Sequence, residues 1–346
     1  MDFERSAEQQ AVADVVTSVL GRELSWQALV DGGVTALALP EGLGGDGVGL
    51  AEVGTVLMES GRQGAIMPAL ATLGFGVVPL LDLASPGQRE RFLAGVAQGG
   101  ILTAALNEAG AALPDRPSTS LGGGGISGTK VGVAYAESAD WMLVTVEGGV
   151  VVVSPTADGV RLVRTPTSNG SDEYTVTFCD VGEFEVLEGA SAGRVNQLAL
   201  AMTGAYADGL VAGALRLTAD YVADRKQFGK PLSTFQTVAA QLAEVYIASR
   251  TIDLVTNAAI WSLTEGRDAS GDLEVLGYWL ASQAPPAMQI CHHLHGGMGM
   301  DIAYPMHRYY STIKDLTRLV GGPSQRLGSV AGHQAQNPLG VQCSST

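Results

Sequence analysis

Apolar positions recur at helical spacing over the first part of the chain. Ala11, Val12, Val15, Val16 and Leu20 form one stripe, Leu50 to Arg62 a second, and Gln88 to Val96 a third. Residues 1–97 are therefore read as an N-terminal helical domain. The pattern then changes. From about 98 to 190, β-branched runs such as Val150-Val151-Val152-Val153 and Tyr174-Thr175-Val176-Thr177-Phe178 alternate with turn chemistry at Gly122-Gly123-Gly124-Gly125 and Thr167-Ser168-Asn169-Gly170. Residues 98–190 are accordingly predicted to be a middle antiparallel β domain. Helical periodicity returns at about 191 in long Ala- and Leu-rich segments, so 191–333 is read as a C-terminal helical domain and 334–346 as a flexible tail. Helices, a strand block, then helices define an α+β class.

Composition narrows the functional classes. Of the 346 residues, 46% are hydrophobic and only 16% charged, which leaves apolar surface for subunit contacts. A net charge of −15 argues against nucleic acid and against an anionic membrane bound through a basic patch. A CoA thioester would need local basic residues. No uninterrupted apolar run approaches the roughly 20 residues that span a bilayer. The charged start Met1-Asp2-Phe3-Glu4-Arg5 is unlike a secretory signal. Cys179, Cys291 and Cys343 are far apart and show no CxxC spacing, so neither a disulfide framework nor a zinc site is expected. Cys291 stands beside His292, His293 and His295, but the Gly296-Gly297 that follows fits a packed helix end better than a metal site. A reduced, cytoplasmic protein is expected.

The chemistry-bearing stretch is Asp224-Arg225-Lys226-Gln227-Phe228-Gly229-Lys230-Pro231-Leu232, followed by Phe235-Gln236. Helical runs flank it, and Gly-Lys-Pro interrupts it. A cation and amide donors at a helix–break–helix suit a phosphate-bearing ligand, because Arg can bond two phosphate oxygens at once. A solvated Arg at a helix end explains the same spacing. A second pattern, Gly42-x-Gly44-x-x-Gly47, satisfies the dinucleotide fingerprint after a strand-like Ala36-Leu37-Ala38-Leu39, with Glu59 downstream. The βα alternation that such a unit needs is missing, so these glycines are read as a tight turn between helices.

The Arg-x-Gln-Phe-Gly-x-Pro-Leu-x-x-Phe-Gln segment, with Leu242-Ala243-Glu244, resembles the flavin-contacting segment of the acyl-CoA dehydrogenase family. His293-Leu294-His295-Gly296-Gly297-Met298-Gly299-Met300, with Tyr304-Pro305 and Arg308-Tyr309-Tyr310, is similar to a second family segment. Leu39-Pro40-Glu41-Gly42-Leu43-Gly44-Gly45-Asp46-Gly47 is similar to the family's helix–helix connection. The nearest group is the smaller, beta-type subunit of the two-chain enzymes of bacterial steroid side-chain breakdown. The resemblance implies a β domain between an N-terminal helical domain and a C-terminal four-helix bundle, with FAD as cofactor. It also implies that Arg225, Gln227, Phe228, Gln236, His293, Gly296 and Gly297 contact the dinucleotide of a flavin seated in a neighbouring chain. His293 replaces the family's usual Gln.

The same resemblance marks losses. Leu106-Asn107-Glu108-Ala109-Gly110 stands where the family carries a Thr-Glu-Pro-Gly-like loop. Val131-Gly132-Val133-Ala134-Tyr135 stands where an indole and a hydroxyl cover the flavin. The family's catalytic Glu falls at Val320 or Gly321, and the alternative base position, within Asn196 to Met202, has no carboxylate. Asp208 and Asp315 are read as solvated or ion-paired helix residues, and no catalytic residue is assigned. The implied protein is a subunit of a heteromeric, α2β2 acyl-CoA dehydrogenase acting on a steroid side-chain CoA thioester. Its partner, a paralogous subunit, carries the Glu and most of the acyl-CoA site, and electrons pass to an electron-transfer flavoprotein. A homo-oligomer with a relocated base and a flavin-free scaffold are the alternatives.

Overall fold

A computed structural model describes residues 5–336; most of the predicted tail, from 337 on, and Cys343 lie outside the described residues. The N-terminal part holds α1 (Ala7–Arg22), α2 (Trp26–Asp31), α3 (Leu50–Arg62), α4 (Leu70–Leu83) and α5 (Pro86–Leu93). Ser6 starts α1 with a reciprocal cap: its hydroxyl accepts from Gln9 N at 3.1 Å, and Gln9 Oε1 accepts from Ser6 N at 2.8 Å. The first turns of α4 are wound as a π-helix over Leu70–Val77.

The strand-like reading of Ala36 to Leu39 does not hold. Val34–Ala36 is a 3-10 turn, and the fingerprint glycines form the connection into α3. Gly44 and Gly47 have φ of 80° and 67°, and a side chain on Gly45 would collide with the carbonyls of Ala36 and Leu39. Glu59 is no ribose ligand. It is buried on α3 and paired with Arg5 at 2.6 Å.

The middle part contains β1 (Leu102–Ala105), β2 (Ser120–Gly122), β3 (Gly125–Ala134), β4 (Trp141–Val146), β5 (Gly149–Val153), β6 (Val160–Thr165), β7 (Glu173–Val181) and β8 (Glu185–Val186). They form two four-stranded sheets, ordered β1-β4-β5-β8 and β2-β3-β7-β6. All pairings are antiparallel except β1 with β4, which run parallel. Met142, Val144, Val151 and Val153 face Ile126, Val176 and Phe178 between the sheets, whereas Leu143, Val150 and Val152 face the helices. Burial on both faces explains why β5 reads as an unbroken valine run rather than an alternation.

The C-terminal part is α6 (Ala192–Asp224), a small hairpin β9 (Lys226–Gln227) and β10 (Lys230–Pro231), then α7 (Gln236–Thr264), α8 (Ser270–His295), α9 (Met306–Leu319) and α10 (Gly322–Gln336). Helices α6 to α9 pack as the bundle and α10 lies along α8. Helix α6 is long and apolar enough to cross a membrane by length and composition, with an 18-residue window of mean hydropathy 1.4, but 89% of that window is buried inside the protein. It is a core helix. The backbones of α3 and α6 nearly touch, because side chains on Gly61, Gly209 and Gly213 would strike the opposing helix.

Asp208, in the middle of α6, is not solvated. It is 2% exposed, with no hydrogen-bond or ion-pair partner among the described residues. Burial, reinforced by Asp253, raises its pKa from 3.8 to about 8, against the smaller pull of Arg62, Arg5 and Arg250. A carboxyl raised in the folded state stabilises at low pH and loses that contribution as pH rises toward 8. Asp208→Asn should therefore melt higher than the parent, by a margin that grows between about pH 4 and pH 8 and is constant above. Thermal melts across that range check it; a pH-independent margin would refute the assignment.

Candidate functional site

The end of α6 sets the position of Arg225. Its amide donates to Tyr221 O at 2.8 Å, its backbone turns extended, and its carbonyl accepts from Leu232 N at 2.9 Å. Between these contacts the chain folds into the β9–β10 hairpin, with Phe228 and Gly229 at φ 53° and 82°. Two consecutive positive φ values are what a two-residue hairpin turn of matching twist demands. Phe228 is 91% exposed, with its ring 6.2 Å from that of Phe235; Lys230 Nζ sits 4.4 Å above Phe235. Gln227 and Gln236 are exposed on either side.

The second segment arrives from α8. Helix α8 ends at His295, and Gly296 adopts φ 57°, ψ −135°, a conformation that a side chain would oppose. An aromatic stack joins the two segments. The Tyr221 ring lies 4.6 Å from that of His295, and Tyr304 packs against both at 6.4 and 5.1 Å. The Tyr221 hydroxyl donates to His295 O at 3.4 Å. A groove of about 340 Å³ opens here, lined by Leu217, Asp220, Tyr221, Asp224, Arg225 and Tyr304. The structure thus brings Arg225 and the Gly296-Gly297 turn to one side of the bundle, with His293 exposed nearby. Arg225 makes no side-chain hydrogen bond or ion pair among the described residues. An unpaired guanidinium on an aromatic-floored groove suits a phosphate-bearing ligand.

Sequence reasoning missed the stack. Tyr221 stands one helical turn before Arg225, and that spacing was the available signal. His295 is 2% exposed, and its Nδ1 bonds Cys291 O at 2.8 Å, so Nδ1 carries the proton and burial keeps the ring neutral. Burial pushes the Cys291 thiol up to about 11, which keeps it from acting as a thiolate ligand. Among the described residues no group of three or more His, Cys, Asp or Glu side chains is placed to hold a metal.

Comparisons with known proteins establish the family. The patterns of the acyl-CoA dehydrogenase N-terminal and C-terminal domains match residues 4–100 and 196–334. Acyl-CoA dehydrogenase FadE28 of Mycobacterium tuberculosis is 74% identical over 100% of both chains. The chain belongs to the acyl-CoA dehydrogenase family. Its fold is similar to the Tcur3481-Tcur3483 steroid ACAD G363A variant, at a TM-score of 0.89 and 28% identity over 95% of this chain and 98% of that one. It is equally close to the ChsE4-ChsE5 complex from Mycobacterium tuberculosis, at 0.88 and 27% over 98% and 100%. FAD is the cofactor of this acyl-CoA dehydrogenase fold, and FAD-dependent oxidation is its chemistry.

The residues read as a damaged flavin seat lie together at the cleft between the β domain and α9. Glu108 is turned away from the cleft, into the protein. Its carboxylate accepts from the backbone and hydroxyl of Ser118 and Thr119, and from Lys130 Nζ at 2.9 Å. Burial alone would raise its pKa, but these donors outweigh burial and hold the carboxyl far below the usual range. Asn107 Nδ2 donates to Leu319 O at 2.8 Å, and Leu113 N donates to Asn107 Oδ1 at 2.8 Å. Val320 is fully buried and its carbonyl accepts from Arg326 Nε at 2.6 Å. Asp315 is spent on structure, accepting from the backbone amides of Ser168 and Asn169 at 3.0 and 2.9 Å. The remaining cavity by Gly132 and Ala134 holds about 90 Å³, well below the roughly 300 Å³ at which small-molecule pockets begin. A larger polar cavity of about 630 Å³ lies at the other end of α6, where Asn196 Oδ1 and Arg326 Nη2 lack partners among the described residues.

The Glu108–Lys130 pair gives a stability test independent of function. Lys130 is 0% exposed, and removing its ammonium strands a buried carboxylate. Lys130→Ala should cost about 3–5 kcal/mol in denaturant titration, whereas the isosteric double change Lys130→Met/Glu108→Gln should cost clearly less.

Proposed function

We propose that this chain is the base-free subunit of a two-chain acyl-CoA dehydrogenase, lending its Arg225 groove to FAD seated in a paralogous partner that carries the catalytic Glu. The observation that carries this reading is an asymmetry between two sites. The Arg225 groove presents an unpaired cation, exposed amides at Gln227 and Gln236 and a glycine turn to the outside. The chain's own cleft has about 90 Å³ and a buried valine where a base is expected. Arg225 would pair with the pyrophosphate, Gln227, Phe228 and Gln236 would line the same groove, and Gly296 and Gly297 would let backbone amides approach the adenosine end beside His293. Met298, Met300, Ile302 and Phe228 are exposed around this face, which favours a covering subunit.

Bound FAD supplies the hydride acceptor for α,β-dehydrogenation of a CoA thioester. In this reading the partner supplies the proton acceptor and most of the substrate site, in an α2β2 assembly located in the cytoplasm, and an electron-transfer flavoprotein takes the electrons. A steroid side chain as the acyl group rests on the description of the Tcur3481-Tcur3483 protein as a steroid ACAD.

Purified alone, the chain should hold little FAD and oxidise no acyl-CoA. Co-expressed with a Glu-bearing paralogue it should give about one flavin per two chains, because each pair completes one of two potential sites. Arg225→Ala should release flavin from that complex at a cost of about 2–5 kcal/mol. Arg225→Lys should restore only part of it, since an ammonium lacks the planar fork. Flavin content by absorbance checks all four proteins, with an acyl-CoA oxidation assay for the chain alone, and full occupancy with turnover in the single-chain protein would refute the reading.

Restoring a carboxylate should not restore catalysis. Gly321 has φ 95°, and a side chain there would strike Gln325 and Ala112, so Gly321→Glu is strained as well as late in register. Val320→Glu is the cleaner variant. Neither should bleach flavin on mixing with a steroid acyl-CoA as a homomer, nor raise the single-turnover rate of the complex, because a base without a positioned hydride acceptor does no chemistry.

A further inference from the structure

The cleft between the β domain and α9 is closed by protein rather than merely stripped of contacts. Its walls are apolar and partly aromatic, with Phe75, Tyr135, Tyr206, Leu316 and Leu319 around Gly132 and Ala134. Such walls suit a flat ring system, and Arg318, half exposed, stands at its edge beside Gly132 and Glu173. Its Nη2 donates to Glu173 Oε2 at 2.5 Å, and the space where a side chain on Gly132 would begin lies 3.5 Å from Arg318 Nη1 and 3.8 Å from Glu173 Oε2. Glu173 is 8% exposed and held from its other side by Thr165 Oγ1 at 3.2 Å.

Helix α9 is latched to the β domain on both sides of this strut. On one side Asp315 accepts from the amides of Ser168 and Asn169, and Asn169 Nδ2 donates to Thr312 Oγ1 at 3.3 Å. On the other, Leu319 O accepts from Asn107, and just beyond, in the first turn of α10, Gln325 Nε2 donates to Ala112 O at 2.9 Å. The guanidinium is thus fixed over Gly132 from a helix that cannot swing away without breaking several hydrogen bonds.

We infer that the Arg318–Glu173 pair is a built-in plug that keeps a flavin ring out of this chain's own cleft and so decides which of two paired subunits carries the cofactor. The inference rests on the two-chain reading for its consequence, but the closure itself is a property of this chain. A ring system entering beside Gly132 would meet the guanidinium. Gly132 has φ 69°, which favours glycine, and the guanidinium lies against it at contact distance.

The test uses the co-expressed two-chain complex and lumiflavin, the flavin ring without its phosphate tail, followed by quenching of its fluorescence. The parent complex should take up none beyond its resident flavin. Arg318→Ala/Glu173→Gln, which strands no buried carboxylate, should take up about one lumiflavin per copy of this chain. Arg318→Ala alone serves as the second opening variant. Arg318→Lys should stay closed, since an ammonium can still reach Glu173. A folded opening variant that takes up no lumiflavin would overturn the inference, as would uptake by the parent or by the lysine variant equal to that of the opened ones. A complex that holds no resident flavin would overturn the two-chain reading instead, while uptake by the variants still decides the plug.

Discussion

The close approach of α3 to α6 is the contact on which the rest of the structure depends. Gly61 on one helix and Gly209 and Gly213 on the other let backbone meet backbone, so the axis of α6 is fixed by atoms that have no rotamers to adjust. With 33 residues, α6 runs about 50 Å. The other bundle helices and α4 pack against it, and both ends become reference points. At its start lies the polar cavity with Asn196 and Arg326; at its end Tyr221 meets His295 and Arg225 leaves the helix. A shift of α6 by one residue would rotate Tyr221 by about 100° and take Arg225 off the groove. The small residues that look like filler in the sequence therefore set the geometry of the site.

What was legible follows how locally each feature is encoded. The helical segments, the strand block and the Arg225 segment could be read because their periodicity or turn chemistry lies within a few neighbouring residues. The Ala36–Leu39 alternation misled because two-residue alternation also fits a pair of tight turns. Parallel pairing of β1 with β4 left no trace, since its determinants are the helices that cover both strands. Asp208 looked like a surface charge in an alanine-rich helix, and only the arrival of α3 and α7 shows that it is sealed in. Arg318 was invisible for the plainest reason: Glu173 lies 145 positions away.

The charge distribution makes sense on the same terms. A chain at −15 repels anions at long range, so an anionic cofactor must be drawn by short-range contacts. Arg225, Lys226 and Lys230 are clustered on one hairpin and exposed, whereas Lys130 and Arg326 are buried beside Glu108 and Glu274. Three exposed cations therefore stand together where α6 ends. Asp220 and Asp224 flank the same groove, and they favour a ligand that presents hydroxyl donors as well as phosphate.

The inner cleft also carries a packing demand. Unfilled apolar space inside a protein costs roughly 24 cal/mol per Å³, and a marginally stable domain has little to spare. The chain avoids that cost by drawing the 106–113 loop, Val320 and the Arg318–Glu173 pair into the space, leaving about 90 Å³. Each of these changes alone would leave a void or an unpaired charge. Asn107 closes on the carbonyl of Leu319, Arg318 lies against Gly132, and Glu173 pairs with Arg318. The packing of the 106–113 loop, Val320 and the Arg318–Glu173 pair is then one coupled arrangement rather than three separate ones.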